Sequence, residues 1–319
     1  MKNIFFLMAV LLSFAACNSS SSESSDQPAT AESKVHIGAI TYSWRSMPSS
    51  AADIIKYCKE TNIHTLELMG NVVESFAGIP DGPPRKNRNQ KMTAEEEKEF
   101  NAVVEAAKEK QREWRTTVSM DKFKELRAMF DEAGIEIHIV KFSPANWTDG
   151  EIDYAFKVAK IMGALGVSNE IGHEAAKRLG PFAEKHDMFA IFHNHTQPGD
   201  PGFDFADFLA YSPNNRLNFD VGHYVGATGK HPNEIIEKFH DKIVSLHIKD
   251  KTNNVTNPPN TNRPWGEGDT PLADILQLIK ENNWPIYCDI ELEYEIPEGS
   301  DAVKETAKCN SFCMDVIGE

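Results

Sequence analysis

Short strand-like segments alternate with helix-like segments along most of the chain, and this alternation constrains the fold more than any other feature. Eight strands are predicted, at 36–44, 64–69, 135–142, 167–170, 189–195, 217–221, 243–249 and 286–294. Helical patterns lie between them at 51–60, 121–133, 153–162, 174–185, 233–239 and 272–281, and a last one follows at 303–316. Eight β/α units favour a closed barrel over an open doubly wound sheet, and no glycine-rich dinucleotide motif follows the first strand. We therefore predict an α/β protein with a single (β/α)8 TIM barrel.

One stretch interrupts the alternation, between the second and third predicted strands. Residues 78–91 are rich in proline, glycine and basic side chains, and residues 93–114 then have the pattern of an extra charged helix. Loops that follow the C-terminal ends of barrel strands lie on the face that carries active sites. We predict a loop-helix insertion after strand 2, with two interpretations open: a substrate lid and a solvated surface decoration.

The start of the chain has the pattern of an export segment. Lys2 and an apolar run lead to two alanines and Cys17, and a Ser-rich acidic stretch follows. The apolar run is too short for a comfortable membrane span and is typical of a signal peptide. Together with Cys17 it resembles a bacterial lipoprotein signal, although Phe14 stands where such signals usually have an aliphatic residue. A plain secretory peptide is the alternative.

This pattern divides the chain into a signal peptide (1–16), a tether (17–34) and the barrel (35–319). The tether is too polar to build a core. We predict an exported, membrane-anchored lipoprotein, periplasmic or on the cell surface, that touches the membrane only through a lipid on Cys17. The formal net charge of −15 argues against nucleic acid as a partner, because phosphate binding needs a basic stripe.

The cysteines after the tether are Cys58, Cys288, Cys309 and Cys313. They have neither zinc-ribbon spacing nor the density of a disulfide-rich scaffold. Cys309 and Cys313 lie one helical turn apart, which is typical of packing residues. A disulfide from Cys58 to one of them stays open as an alternative.

Four of the predicted strands each carry a histidine or a carboxylate near the C-terminal end. The segments are FHNH (192–195), NFDVGH (218–223), LHIKD (246–250) and IELEY (290–294). Side chains alternate between the two faces of a strand, and the apolar set must meet the outer helices, so the polar set points into the barrel. Buried polar groups need partners or a metal. The sequence therefore predicts one shared polar site.

We predict a divalent metal at this site, held by one residue from each of the fifth to eighth strands: His193, Asp220, His247 and Glu291. A mixed set of imidazole and carboxylate ligands suits Mn²⁺, Zn²⁺, Co²⁺ or Fe²⁺ better than Mg²⁺ or Ca²⁺. Glu293 has the same parity as Glu291 and could exchange roles with it.

Further side chains near these ligands are predicted to act on a substrate. The catalytic candidates are Glu291, His193, His223 and Lys249. The substrate-binding candidates are Trp44, Glu67, Lys141, Glu170, His195, Arg263 and Trp265. Asp250 is predicted to orient His223 or Lys249 through a hydrogen bond. Buried packing is the alternative for the two tryptophans, and a surface role is the alternative for the arginine.

The motifs NFDVGH, SLHIKD, PWGEGD (264–269) and IELE, in this order, resemble the sugar phosphate isomerase/epimerase superfamily of xylose-isomerase-like TIM barrels. The similarity is strongest from Val158 onward. Ketose 3-epimerases and inosose dehydratases belong to this superfamily. The resemblance implies a sugar substrate and a divalent metal, often Mn²⁺, with Asp220, His247 and Glu291 as ligands. It implies a substrate contact for His223.

The chain departs from the family pattern at the first ligand position, where His193 stands in place of a glutamate. A neutral imidazole can bind a metal or act as a base, but it cannot replace a carboxylate that does both. Glu170, at the end of the fourth strand, could restore a carboxylate to the site. Capping of the next helix is its alternative role.

The expected reaction is isomerisation or epimerisation of an unphosphorylated sugar, by removal of a proton beside a carbonyl that the metal polarises. Lys249 or Lys141 would balance the charge of the enolate. Two alternatives stay open. One is a metal-dependent lyase or dehydratase, acting for example by elimination from a 3-keto-glycoside. The other is a surface carbohydrate binder without turnover.

Overall fold

The computed structural model describes residues 35–86 and 91–318, and these residues form one closed barrel. The predicted signal peptide, Cys17 and the tether lie outside the described residues. Eight parallel strands lie side by side around the barrel in the order in which they follow one another along the chain, and the last strand pairs with the first. The prediction of a single (β/α)8 barrel is confirmed. Because all eight strands run the same way, their carboxyl ends meet at one face.

The strands alternate with helices as predicted, and a small antiparallel hairpin is added. The barrel strands are β1 (His36–Ile40), β2 (Thr65–Met69), β3 (Glu136–Lys141), β4 (Gly166–Glu170), β5 (Phe189–His193), β6 (Asn215–Asp220), β7 (Ile243–Ile248) and β10 (Tyr287–Ile290). The hairpin pairs β8 (Asp250–Lys251) with β9 (Asn262–Arg263). The helices are α1 (Ala51–Thr61), α2 (Gly70–Ala77), α3 (Ala94–Thr117), α4 (Asp121–Glu132), α5 (Asp149–Ile161), α6 (His173–His186), α7 (Phe205–Leu209), α8 (Val221–Thr228), α9 (Asn233–Phe239), α10 (Leu272–Asn282) and α11 (Ala302–Ile317).

Two predicted strands exceed the observed ones by four residues or more, and three short helices were missed. The first strand stops at Ile40 and continues as a 3-10 turn over Thr41–Trp44. The eighth stops at Ile290, so that the carboxylates beyond it lie on a loop at the face of the barrel. The missed helices are α2, α7 and α8. The last of these holds two glycines, which have low helix propensity, and it forms because the Asp220 carboxylate accepts from the His223 backbone N–H at 2.7 Å.

The predicted insertion after β2 forms α3, which packs on the outside of the barrel. None of its side chains is fully buried, and Arg115 near its end bonds to Glu74 and Glu151. No described residue of the insertion lines the candidate pocket described below. The described residues therefore support the decoration interpretation, and the lid interpretation stays a prediction.

The cysteines in the described part of the chain are free thiols in buried positions. The disulfide alternative from Cys58 is therefore not present in the structure. Burial raises the pKa of Cys58 and of Cys309 to about 12, which keeps both thiols protonated. Within residues 35–86 and 91–318, every helix is too short or too polar to cross a bilayer.

Candidate active site

The four predicted metal ligands lie together at the carboxyl ends of adjacent strands. His193 ends β5, Asp220 ends β6, His247 lies in β7, and Glu291 directly follows β10. One nitrogen or oxygen from each residue lies within 4.8 Å of the others, and all four residues are buried. The parallel register places Asp220 beside His247, and it also places Glu170 of β4 beside His193. Barrel closure thus gathers donors that are far apart in the sequence.

His193 presents one ring nitrogen to the centre because Glu170 engages the other. Its Nδ1 lies 3.2 Å from Glu170 Oε2, and its Nε2 lies 3.3 Å from Asp220 Oδ2. Burial alone would raise the pKa of Glu170, but the neighbouring His193 and Lys141 hold it well below its usual range. Glu170 is therefore ionised and can accept the Nδ1 proton, while His193 Nε2 faces the centre.

Glutamate carboxylates contact both ring nitrogens of His247. Its Nε2 lies 2.6 Å from Glu67 Oε2, and its Nδ1 lies 3.1 Å from Glu291 Oε2. Burial opposes charge on His247, but the adjacent Glu291 and Glu67 carboxylates raise its pKa well above the usual value. Burial likewise opposes charge on Glu67, whose pKa the His247 ring nevertheless lowers to about 2. Glu67 therefore positions His247.

Glu67, which was predicted to bind substrate, does not line the cavity described below. The side chain is fully buried beneath the centre, and its oxygens also accept from Ser168 at 2.8 Å and from Asn218 at 2.6 Å. The sequence analysis did not predict the contact between Glu67 and Asn218. Period-two alternation identifies the inward face of a strand and not the partner across the barrel.

Replacing Glu67 with Gln should weaken metal binding about 10- to 100-fold, because it removes the charge that orients His247. The glutamine amide would also present an N–H donor to His247 Nε2, which itself donates to Glu67. The dissociation constant for Mn²⁺, measured by calorimetry, tests this. Glu136→Gln is the control, since Glu136 pairs with Tyr287 at 2.8 Å and lies at the start of β3. An unchanged constant in the Glu67 variant would contradict the positioning role.

The centre passes a test of fit for a divalent metal. His193 Nε2 and Asp220 Oδ2 are buried and have no hydrogen-bond partner among the described residues. Lys249 Nζ approaches Asp220 Oδ2 to 2.8 Å, but this ion pair lacks hydrogen-bond geometry. Buried polar atoms without partners are costly, and a cation shared by a nitrogen and an oxygen would satisfy both. Two imidazoles and two carboxylates suit a transition-metal ion.

Two further histidines lie above the ligands. His223 Nε2 lies 3.6 Å from Glu293 Oε2 and 3.9 Å from Asp220 Oδ2. Burial lowers the pKa of His223 to about 3, so the ring is neutral. His195 is half exposed, with its Nε2 3.5 Å from Glu170 Oε2, and burial lowers its pKa. Both rings can therefore offer a neutral nitrogen to a bound ligand.

A cavity of about 230 Å³ opens onto the centre. Its lining includes six residues that the sequence analysis singled out: Lys141, Glu170, His193, His195, Glu291 and Glu293. It also includes Ile40, Tyr42 and Met69, which supply apolar surface. Tyr42 was missed, although its place at the end of the first predicted strand was a usable signal. At about 230 Å³ the cavity is smaller than the roughly 300–1,000 Å³ of typical ligand pockets, and it combines apolar walls with ionised groups.

Four predictions near this cavity are corrected. Trp44 is fully buried, and its Nε1 donates to Thr306 Oγ1 at 3.1 Å, because the 3-10 turn directs it towards α11. Trp265 packs edge-on against Phe312 of α11 with the ring centroids 5.7 Å apart. Neither tryptophan lines the cavity, so packing is the role of both.

The other two corrections concern the hairpin. Arg263 lies in β9, opposite Asp250, and does not line the cavity. Asp250 does not orient His223 or Lys249. Its carboxylate accepts from the backbone N–H groups of three residues in the loop after β9. These residues are Gly266, Gly268 and Thr270. Asp250 therefore shapes a loop.

The fold and the buried cluster define a class of protein: an α/β barrel with a candidate divalent-metal centre at the carboxyl ends of its strands. A family model described as xylose isomerase-like TIM barrel matches residues 171–309. This segment contains β5 to β10 and all four candidate ligands. A search of curated proteins found no significant match to the sequence.

Solved structures extend the similarity over most of the chain. A sugar phosphate isomerase/epimerase from Parabacteroides distasonis is 17% identical, with a TM-score of 0.55, covering 89% of this chain and 94% of its own. A probable 3-DHS dehydratase from Bacillus anthracis is 14% identical, with a TM-score of 0.56, covering 87% and 99%. A D-psicose 3-epimerase is 9% identical, with a TM-score of 0.56, covering 89% and 100%. The chain thus has the xylose isomerase-like TIM barrel fold.

Proposed function

We propose that this protein is a divalent-metal-dependent isomerase or epimerase that removes a proton beside the carbonyl of an unphosphorylated sugar. The observation that carries the proposal is the convergence of His193, Asp220, His247 and Glu291, with two of their donor atoms buried and without hydrogen-bond partners. The fold shared with a D-psicose 3-epimerase supports it. Export, which the start of the sequence predicts, supports an unphosphorylated substrate, and we extend the proposal to a lipoprotein anchored through Cys17.

These four residues would hold the metal, with Mn²⁺ as our proposal. When bound, a divalent ion polarises a substrate carbonyl and makes the adjacent C–H more acidic. The remaining chemistry belongs to the side chains around the cavity, which must take up a proton, return it and balance the charge that develops on the substrate.

We assign the two proton transfers to two carboxylates that line the cavity from strands on opposite sides of the barrel. Glu291 follows β10 and Glu170 ends β4, and these strands are four places apart in the eight-strand order. Both residues line the cavity. Burial would favour their neutral forms, but Lys249 keeps the pKa of Glu291 low, and His193 does so for Glu170. One carboxylate removes the proton from one face and the other returns it to the opposite face, as epimerisation requires.

Positive charge is available for the enolate. Lys141 lines the cavity, and its Nζ lies 3.0 Å from Glu170 Oε1. Burial lowers the pKa of this lysine, but Glu67 and Glu170 more than offset the effect, so the ammonium stays charged. A charged donor beside a developing oxyanion stabilises it.

A lyase or dehydratase is the second candidate, and the neutral histidines favour it. The rings of His195 and His223 lie 4.8 Å apart between their centroids, above the centre. Such a pair could assist the departure of a leaving group after the proton is removed. The fold shared with a probable 3-DHS dehydratase is consistent with this route.

Solvent-deuterium exchange tests the proposal. The purified protein is incubated with Mn²⁺ and a panel of unphosphorylated ketoses in D₂O, and NMR follows deuterium at the carbon beside the carbonyl. We expect incorporation that stops when a chelator removes the metal and returns when Mn²⁺ is added. An enone product with ultraviolet absorbance would select the lyase. Absence of exchange across the panel would reject both reactions and leave the carbohydrate binder.

A further inference from the structure

Lys249 places a buried ammonium against the candidate metal centre. Its Nζ lies 2.8 Å from Asp220 Oδ2, 2.7 Å from Glu291 Oε2 and 2.6 Å from Glu293 Oε2. The side chain is 2% exposed. Asp220 and Glu291 are two of the four candidate ligands, so the ammonium contacts the oxygens that a divalent ion would use.

Two cations on the same oxygens would repel each other at short range in a buried site. Three carboxylates face the ammonium and only two of them are candidate ligands. The charges balance if a divalent ion takes Asp220 and Glu291 while the ammonium stays with Glu293. The contact with Asp220 is the one without hydrogen-bond geometry, whereas those with Glu291 and Glu293 are hydrogen bonds. The ammonium therefore has two hydrogen-bonded carboxylates to hold it, of which only Glu291 is a candidate ligand.

The stem of Lys249 limits how far the ammonium can move. A Cβ atom added at Gly222 of α8 would lie 2.5 Å from Lys249 Cγ, so the helix backbone packs directly against the stem. The end of the side chain can then shift between neighbouring carboxylates without leaving the site.

We propose that Lys249 is a built-in placeholder cation for the metal. Without metal, its ammonium keeps Asp220 and Glu291 together. When a divalent ion binds, the ammonium withdraws to Glu293. This inference rests on the metal centre of the proposed function. With this role for Lys249, the candidate ligands stay together without metal. Metal binding is weakened because the ion must displace the ammonium.

The dissociation constant for Mn²⁺ of the chelator-treated protein tests the inference without any turnover. Lys249→Met keeps much of the side-chain volume and removes the competing charge, so we expect binding to tighten about tenfold or more. Glu293→Gln removes the place to which the ammonium withdraws, so we expect weaker binding. In the double variant, the Glu293 effect should vanish, because it acts through Lys249. Lys230→Met, at an exposed position, is the control and should change nothing.

The outcomes separate this inference from the proposed function. If Lys249→Met binds Mn²⁺ no more tightly than the unmodified protein, the placeholder is rejected and the metal centre stands. If Glu293→Gln weakens binding equally with and without Lys249, Glu293 is itself a ligand and the withdrawal is rejected. If no variant binds Mn²⁺, both proposals fail. Should Lys249→Met not fold, Glu293→Gln alone decides, since an unchanged constant would reject the placeholder.

Discussion

Glu291→Gln is expected to slow the deuterium exchange described above by about a thousandfold or more, because a positioned base and a metal ligand are lost together. Glu291 lines the cavity, and its Oε2 accepts from Lys249 Nζ at 2.7 Å and from His247 Nδ1 at 3.1 Å. Glutamine keeps the shape of the side chain but carries neither the charge nor the basicity. It also presents an amide donor where an ammonium already donates.

The measurement needs a control for folding and for local disturbance. Circular dichroism of the Glu291 variant should match that of the unmodified protein. Glu298→Gln is the matched control, since Glu298 lies on the same segment after β10, exposed to solvent and away from the cavity. Exchange within tenfold of the unmodified rate in Glu291→Gln would show that another group removes the proton.

Arg115→Met is expected to lower the free energy of unfolding by about 3–5 kcal/mol, because it removes the nearest cation from two buried carboxylates and leaves Glu151 only a longer ion pair with Arg112 at 3.6 Å. Arg115 Nε lies 2.7 Å from Glu74 Oε1, and its Nη1 lies 3.0 Å from Glu151 Oε1, with the Arg115 side chain 10% exposed. The guanidinium also stacks over the Trp147 ring, 3.8 Å from its centroid. This one side chain ties α3 to α2 and to α5.

Urea unfolding measures the loss. Lys108→Met on the same helix is the control, since among the described residues Lys108 pairs with Glu105 alone and both side chains are at least half exposed. Exposed ion pairs contribute little to the free energy of unfolding. A loss in Arg115→Met no larger than in the control would show that solvent reaches Glu74 and Glu151. Mn²⁺ binding by the folded fraction should be unchanged, because α3 packs outside the barrel.

The regular elements could be predicted because their signals are local. The eight barrel strands were found from short apolar runs, and the helices between them from their spacing and caps. The misses occurred where tertiary contacts override local preference. Thr41–Trp44 is a 3-10 turn and not strand, and α8 forms despite its glycines under the Asp220 cap. Trp44 was predicted to bind substrate, but it lies in this turn and its Nε1 donates to Thr306 Oγ1 of α11.

The four candidate ligands follow from period-two alternation, which is a property of each strand alone. The contacts that support these ligands do not follow from this alternation. Glu67 and His247 are 180 residues apart, and Lys249 and Glu291 are 42 residues apart. No local pattern predicts which inward side chains will touch.

The sequence by itself determined the barrel and the residues that each strand turns inward, because hydrophobic periodicity acts over a few neighbouring residues. Only the tertiary structure decided that Glu170 holds His193, that Glu67 holds His247 and that Lys249 contacts the carboxylates of the centre. Barrel closure brings strands together from distant parts of the chain, and burial then makes every charge depend on the partner it meets there.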